Sequence, residues 1–216
     1  MWDNTFALDI LPKLLDALKI TIMATVCGFA LAMVIGLVFA LLRRSSSKIV
    51  SWAAFGVIEF IRNTPLLVQV FFLFYVLPLY GVRISPFATG MIALGLHYGT
   101  YLSEVYRSGI DSIPKGQWEA ATALNFSRVQ TWTKIILPQA LPPMVPVFGN
   151  YFIVMFKETP ILSAIALVEV LQTAKIITSQ TFRAVEPYTL VGLLFLILST
   201  LSAVLIRRLE LKLNRR

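Results

Sequence analysis

Apolar residues occupy most of the chain in long runs, which short polar stretches interrupt. A helix needs about 20 mostly apolar residues to cross the roughly 30 Å hydrocarbon core of a bilayer. On this basis the pattern predicts five transmembrane helices, at about residues 20–42, 50–80, 87–105, 140–157 and 187–206. The sequence therefore predicts an all-α integral membrane protein, with residues 1–216 forming a single transmembrane domain.

Three segments depart from this simple pattern. Residues 1–19 are amphipathic, and we expect them to lie at the membrane interface before the first span. The run at 50–80 is too long for one straight span and is broken by polar residues at 62–65. Residues 160–172 are apolar but too short to span, which predicts a re-entrant or partly inserted helix.

Small residues recur every four positions along the first span. The five residues that keep this period are Ala24, Gly28, Ala32, Gly36 and Ala40. In lipid the hydrophobic effect does not drive helices together, so close approach depends on such small side chains. We expect this face to pack against another helix.

A polar passage between the third and fourth spans predicts two short helices joined by a turn, within residues 115–137. Asn125 follows a run of good helix formers and tolerates the left-handed conformation found at helix ends. Ser127 and Gln130 then have the spacing of a capping box, which starts a second helix. Two such short helices are marginal alone, so both need a docking surface.

Composition agrees with a membrane protein and excludes several kinds of site. The chain is 57% hydrophobic and only 14% charged. Its single cysteine, Cys27, excludes an internal disulfide, and its single histidine excludes a paired-histidine zinc motif. We predict no metal and no cofactor.

The net charge of +8 reflects membrane topology rather than nucleic-acid binding, because the basic residues lie between and after the apolar runs. With the N-terminus outside and the C-terminus in the cytoplasm, twelve of the 19 basic residues face the cytoplasm, as the positive-inside rule requires. These are Arg43, Arg44, Lys48, Arg107, Lys115, Arg128, Lys134, Arg207, Arg208, Lys212, Arg215 and Arg216. Six lie outside, at Lys13, Lys19, Arg83, Lys157, Lys175 and Arg183, and Arg62 lies at a boundary.

Two pairs of opposite charges have helical spacing. Glu104 and Arg107 lie one turn apart where the third span leaves the membrane. Glu59 and Arg62 lie within an apolar run, near its predicted cytoplasmic side. Arg62 either pairs with a carboxylate or extends to the interface as an anchor, and the sequence favours neither.

The passage EAATALNFSRVQTWTKIILPQA (119–140) resembles the EAA loop of the membrane subunits of bacterial ABC importers. The flanking SIPKGQWEAA (112–121) and ILPQAL (136–141) are similar to the polar amino acid permease branch of that family. Asn125 and Asn63 stand where the family usually has Gly, and Pro160 stands where it usually has Ser. The resemblance implies a type I importer (MetI-like) permease fold with a cytoplasmic coupling helix, in the bacterial cytoplasmic (inner) membrane.

The resemblance also implies partners. Cytoplasmic ATPase subunits would bind the EAA loop, an extracytoplasmic solute-binding protein would deliver the solute, and a second permease subunit, either a copy of this chain or a paralogue, would complete the path. The predicted ATPase contacts are Trp118, Glu119, Ala120, Ala121, Leu124 and Asn125. The chain has no Gly-Lys dipeptide and hence no phosphate-binding loop, so we expect a transport subunit rather than an enzyme.

The solute path implied by the resemblance involves the third and fourth spans and the passage after the fourth. The matching residues are His97, Tyr98, Tyr151, Lys157, Glu158 and Thr159. GNYF (149–152) and FKETPILSAI (156–165) are most similar to permeases for ectoine and hydroxyectoine. These solutes contain a delocalised cation, which tyrosine rings attract.

These residues also have structural interpretations. Tyr98 and Tyr151 are then packing or interface aromatics, Lys157 and Glu158 an external surface pair, and His97 a neutral core histidine. At the level of function, the alternative is a self-contained channel or secondary carrier for small zwitterions. Such a protein would need no docking loop, which favours the importer subunit.

Overall fold

The computed structural model describes residues 2–213, and Met1 and residues 214–216, including the basic Arg215 and Arg216, lie outside this range. The described residues form α-helices joined by short 3₁₀ and π-helical segments, without strands. The helices are α1 (Asn4–Arg43), α2 (Lys48–Arg62), α3 (Leu66–Phe71), α4 (Pro86–Asp111), α5 (Lys115–Ala123), α6 (Arg128–Gln130), α7 (Leu137–Glu158), α8 (Val170–Thr181) and α9 (Val185–Leu213). The prediction of an all-α fold is confirmed.

The first helix is longer than the sequence pattern predicts. Residues 1–19 do not form a separate interfacial entry, because α1 runs unbroken for 40 residues. At 1.5 Å per residue it is roughly 60 Å long, about twice the thickness of the hydrocarbon core. Its first third is held by protein: Ile10 and Leu14 are buried in a cluster with Val170 and Ala174 of α8 and Val191 of α9.

The face of small residues on α1 packs against another helix, as predicted, and the structure shows that this helix is α4. All five members are buried. A β-carbon added at Gly36 would lie 2.9 Å from Cβ of Leu102 and 3.0 Å from the carbonyl oxygen of Gly99. Gly99 in turn faces Ile35, so each helix offers glycines to the larger side chains of the other. This packing makes α4 the centre of the fold.

The run at residues 50–80 is divided by a sharp bend. The chain turns by 100° between α2 and the segment Leu66–Tyr80 that begins with α3. Asn63, Thr64 and Pro65 form the break, because proline has no N–H to donate and disfavours the helical conformation of the residue before it.

By length and apolarity, two helices of the described chain, α1 and α9, could cross a membrane alone. Two bent pairs of helices would raise the number to four. The helix α4 is not among them, since its middle carries polar and small residues such as His97, Tyr98 and Thr100. Because α4 is largely surrounded by protein, it needs less apolar surface than a helix that faces lipid. The predicted number of five spans stays a prediction.

The segment after α7 differs in detail from the predicted re-entrant helix. Residues Thr159–Ile165 form a 3₁₀ helix that ends at Ala166, whose φ is 57°. The helix α8 then begins at Val170 and continues to Thr181, well beyond residue 172. The buried carboxylate of Glu169 caps α8 by accepting the N–H groups of Leu171 and Gln172.

Candidate functional site

The interhelical loop (residues 115–137) is a helix-turn-helix whose first helix ends at Asn125. The backbone N–H of Phe126 donates to the carbonyl of Ala121, and that of Asn125 donates to the carbonyl of Thr122, both at 3.0 Å. These two bonds form a Schellman motif, which needs a residue in the left-handed region. Asn125 has a φ of 56°, which confirms the predicted conformation.

The second helix of the loop begins with the predicted capping box. The backbone N–H of Ser127 donates to Oε1 of Gln130 at 2.9 Å, and the N–H of Gln130 donates to Oγ of Ser127 at 3.3 Å. A π-helical segment, Thr131–Ile136, then leads into α7. The interhelical loop is therefore a defined structural unit connected directly to α7.

The six residues predicted to contact an ATPase differ in exposure. Ala121 is 0% exposed, and Trp118 packs edge-on against Trp132 with ring centroids 5.4 Å apart. Ala121 thus has no exposed surface in this chain, because its small side chain lets the two arms of the loop approach, and its contact with an ATPase stays a prediction. The residues with free surface are Glu119, Ala120, Leu124 and Asn125. Val129, which is 72% exposed, was missed by the sequence analysis.

Charged residues connect the ends of α1 and α4 next to this loop. The predicted pair is confirmed, with a guanidinium nitrogen of Arg107 2.5 Å from a carboxylate oxygen of Glu104. Arg107 also lies 3.5 Å from Asp111, which pairs with Arg44 at the end of α1. Since these side chains are partly exposed, each pair contributes little to stability by itself.

A second site lies between α4 and α7, where the structure joins three predicted path residues. The hydroxyl of Tyr98 donates to Oε2 of Glu158 at 2.6 Å. Tyr98 is only 3% exposed, and its ring centroid lies 6.2 Å from that of Tyr151. A buried tyrosine that donates to a carboxylate forms a strong, charge-assisted hydrogen bond. Of the two structural interpretations of Tyr98, an interface aromatic does not fit this environment, whereas a buried packing aromatic does.

His97 lies beside the tyrosines. Its ring is 5.4 Å from that of Tyr98 and 5.3 Å from that of Tyr101. Its Nδ1 atom is buried and has no hydrogen-bond partner among the described residues. Nδ1 therefore has no backbone carbonyl to bond to among these residues.

Two residues of this site were missed by the sequence analysis. The guanidinium of Arg62 lies 4.9 Å from the ring centroid of Tyr101, and the Tyr101 ring lies 5.9 Å from that of Tyr151. Arg62 also approaches Glu59 at 3.6 Å, so of the two interpretations that the sequence left open the structure shows the pairing with a carboxylate, at a long distance. Tyr101 follows His97 by four residues and so shares its helix face, which was the available signal.

The remaining two predicted path residues, Lys157 and Thr159, lie in different surroundings. The hydroxyl of Thr159 donates to the carbonyl of Phe156 at 2.7 Å, and the residue is fully buried. Thr159 therefore faces the core. Lys157 is exposed and lines a cavity together with Glu158.

Two cavities lie next to the tyrosines. The Glu158 cavity, of about 540 Å³, is lined by Pro65, Leu66, Leu67, Lys157, Glu158, Pro160, Ile161 and Leu171. The Glu104 cavity, of about 340 Å³, lies between α4 and α7 and is lined by Tyr101, Glu104, Val105, Ser108, Gly109, Ser112, Pro143, Met144, Val147 and Tyr151. Each cavity therefore contains a carboxylate. Two tyrosines of the cluster line the Glu104 cavity, whereas the Glu158 cavity is linked to the cluster through the hydrogen bond from Tyr98 to Glu158.

Comparison with known proteins gives consistent matches over nearly the whole chain. The profile of the family described as "Binding-protein-dependent transport system inner membrane component" matches residues 32–215. A "Probable amino-acid ABC transporter permease protein y4tG" of Sinorhizobium fredii (strain NBRC 101917 / NGR234) is 46% identical, with 100% of this chain and 95% of that protein covered.

A second relative, the "Glutamine transport system permease protein GlnP" of Escherichia coli (strain K12), is 35% identical over 93% of this chain and 92% of its own length. Among solved structures, a chain of the "Crystal structure of an amino acid ABC transporter with histidines" superposes with a TM-score of 0.91. It is 32% identical, and the match covers 98% of this chain and 99% of that one.

Proposed function

The chain belongs to the family of binding-protein-dependent transport system inner membrane components, and we propose on this basis that it carries an amino-acid-like zwitterion past its tyrosine cluster while a separate ATPase acts on its interhelical loop. It is a multi-pass inner-membrane permease subunit of an ABC amino-acid importer, with the all-α MetI-like fold. Such a subunit is a transport component and not itself an enzyme.

The partners in this proposal follow from the family and from the exposed surfaces. An ATPase subunit binds the interhelical loop on the cytoplasmic side, through Leu124, Val129 and the polar residues around them. A binding protein delivers solute to the outer side, and a second permease subunit completes the assembly. The distribution of basic residues supports an outer N-terminus and a cytoplasmic C-terminus.

The observation that carries the solute proposal is the meeting of Tyr98, Tyr151 and Glu158. Glu158 and Lys157 both line the Glu158 cavity, so opposite charges are available for the two ends of a zwitterion. Tyrosine rings beside a carboxylate suit a delocalised cation, which they attract through the ring face. Among amino-acid-like solutes these features favour the ectoine type, which combines a carboxylate with an amidinium.

Reconstitution with the ATPase and the binding protein in liposomes tests this function. We expect ATP-dependent uptake of labelled ectoine to exceed that of labelled glutamine and arginine. Replacing Tyr151 by Ala should lower ATP-driven uptake on the order of tenfold, because the ring attraction is lost. The variant Tyr151→Phe keeps a ring and should retain most of the uptake. Tyr188→Ala, at an exposed position of α9 outside both cavities, serves as the control.

The possible results separate the parts of the proposal. Preferred uptake of glutamine would contradict the ectoine assignment but would leave the proposed solute path unchallenged. Full uptake by Tyr151→Ala would remove Tyr151 from the path. Uptake without the ATPase would instead support a self-contained carrier.

A further inference from the structure

The three tyrosines between the two cavities form a closed triangle. The ring centroids of Tyr98 and Tyr101 lie 6.2 Å apart, those of Tyr98 and Tyr151 also 6.2 Å, and those of Tyr101 and Tyr151 5.9 Å. All three distances fall within the range of direct aromatic contact. No gap wide enough for a solute remains between the rings.

The triangle lies at the boundary of both cavities. Tyr101 and Tyr151 line the Glu104 cavity. Tyr98 lines neither cavity, but its hydroxyl bonds to Glu158, which lines the other one. The three side chains therefore extend from one cavity toward the other, and they come from two helices, α4 and α7.

We propose that this tyrosine triangle is the barrier that separates an outer from an inner solute chamber within each chain, and that Arg62 holds it closed. The proposal rests on the proposed function for the direction of transport. Arg62 stacks on Tyr101 from the end of α2, directly before the 100° bend. A movement of α2 or of the bend would withdraw the guanidinium and release Tyr101.

The hydrogen bond from Tyr98 to Glu158 couples the barrier to the solute. Because Glu158 lines a cavity, a cationic group that enters this cavity competes with the Tyr98 hydroxyl for the same carboxylate. Binding of the solute cation then frees Tyr98 from its partner. The barrier therefore opens to solutes that carry a positive group and stays closed to those that do not.

Thiol labelling from each side of the membrane tests the barrier without any solute. Cys27 is the single native cysteine, so Cys27→Ser gives a background in which Ser108→Cys reports on the Glu104 cavity. The importer complex without ATP is labelled with a small, membrane-impermeant methanethiosulfonate, in right-side-out and in inverted vesicles. We expect labelling of Ser108→Cys from outside to be at least tenfold slower than labelling from the cytoplasmic side.

Opening the triangle should abolish this asymmetry. With Tyr151→Ala the rate from outside should rise to within threefold of the rate from the cytoplasmic side, and Arg62→Gln should raise it by a smaller factor. Tyr106→Ala is the matched control, since Tyr106 also packs between α4 and α7, with its ring 4.9 Å from that of Phe148, but lines neither cavity. It should leave the slow rate unchanged.

Each other result overturns part of the proposal. Equal labelling rates of Ser108→Cys from both sides of the membrane with all three tyrosines present would contradict the proposal that the triangle is a barrier. An unchanged outside rate with Tyr151→Ala would contradict it as well. An equal effect of Tyr106→Ala assigns the change to general loosening of α4 against α7. An unchanged rate with Arg62→Gln removes Arg62 from the closed state. Because no solute is used, failure here leaves the solute proposal standing, and the uptake experiment can fail while the barrier is upheld.

Discussion

Ala121 and Leu124 lie three residues apart on one short helical segment, yet their surroundings are opposite. Ala121 is fully buried between the two arms of the interhelical loop, whereas Leu124 is 66% exposed at the turn. One residue therefore shapes the loop, and the other is available to a partner. A substitution at each position tests a different property of the same element.

Ala121→Leu should disrupt the loop, because a buried site with no free space cannot take three more carbon atoms without moving the packed arms. Leu124→Glu should leave the fold intact and weaken binding of the ATPase by about tenfold or more, since it places a charge in an apolar contact. Co-purification of the ATPase measures binding, and size-exclusion chromatography in detergent measures folding. Ile49→Glu, which adds the same charge at an 83% exposed position, is the control. Normal ATPase binding by Leu124→Glu would refute the docking surface.

Features of single elements that depend on neighbouring residues could be predicted from the sequence, whereas features that depend on packing against distant residues could not. The period of small residues on α1, the left-handed Asn125 and the capping box at Ser127 each depend on a few neighbouring residues, so the sequence was sufficient. The unbroken α1 was missed because its polar first third is held by α8 and α9, which lie more than 150 residues later.

The packing of α1 on α4 predicts a contrast between two glycines. Gly36→Ala should destabilise the protein by about 1–3 kcal/mol, because the added methyl group meets backbone atoms of α4 that have little freedom to move. Gly56→Ala, on α2, meets nothing within 4 Å. It should be neutral or stabilise the protein by up to about 1 kcal/mol. Thermal unfolding in detergent measures both, and equal melting temperatures for the two variants would contradict this packing.

Across the whole molecule, both the site and the fold depend on residues distant in sequence. The resemblance supplied Tyr98, Tyr151 and Glu158, but no pattern in the sequence pointed to the pairing of Arg62 with Tyr101. The start of the described chain also meets the start of α9: Arg183 lies 3.1 Å from Asp3 and 2.5 Å from Glu186, whose carboxylate also accepts the backbone N–H of Asp3. This ionic cluster joins the start of α1 to the start of α9.

The cluster predicts a dependence of stability on pH. The N–H of Phe6, followed by the guanidinium of Arg183, lowers the pKa of Asp3 below its ordinary value of 3.8. A carboxyl group whose pKa is lowered in the folded state stabilises that state above its unfolded pKa, and this contribution is lost as the pH falls through the folded pKa. We therefore expect Asp3→Asn to melt at a lower temperature than the unaltered protein at pH 6, by a small amount on the order of 1 °C. The difference should shrink as the pH falls below 3.8 and through the lowered pKa that Asp3 has in the folded protein. A difference that is independent of pH would contradict the assigned cause.

The length of α1 has a consequence for how the protein is made. Because α1 precedes α4, α8 and α9 in the chain, it is synthesised before these partners exist, and its glycine face has only lipid beside it until α4 follows. The contacts of its N-terminal third form later still, because the carboxylate that accepts the N–H of Asp3 lies 183 residues further along the chain. Contacts of such separation form late, after the intervening chain has been ordered. The native packing of α1 is therefore completed only when α9 has been made, and a chain that stops before α9 leaves the N-terminal third of α1 with its α8 contacts alone.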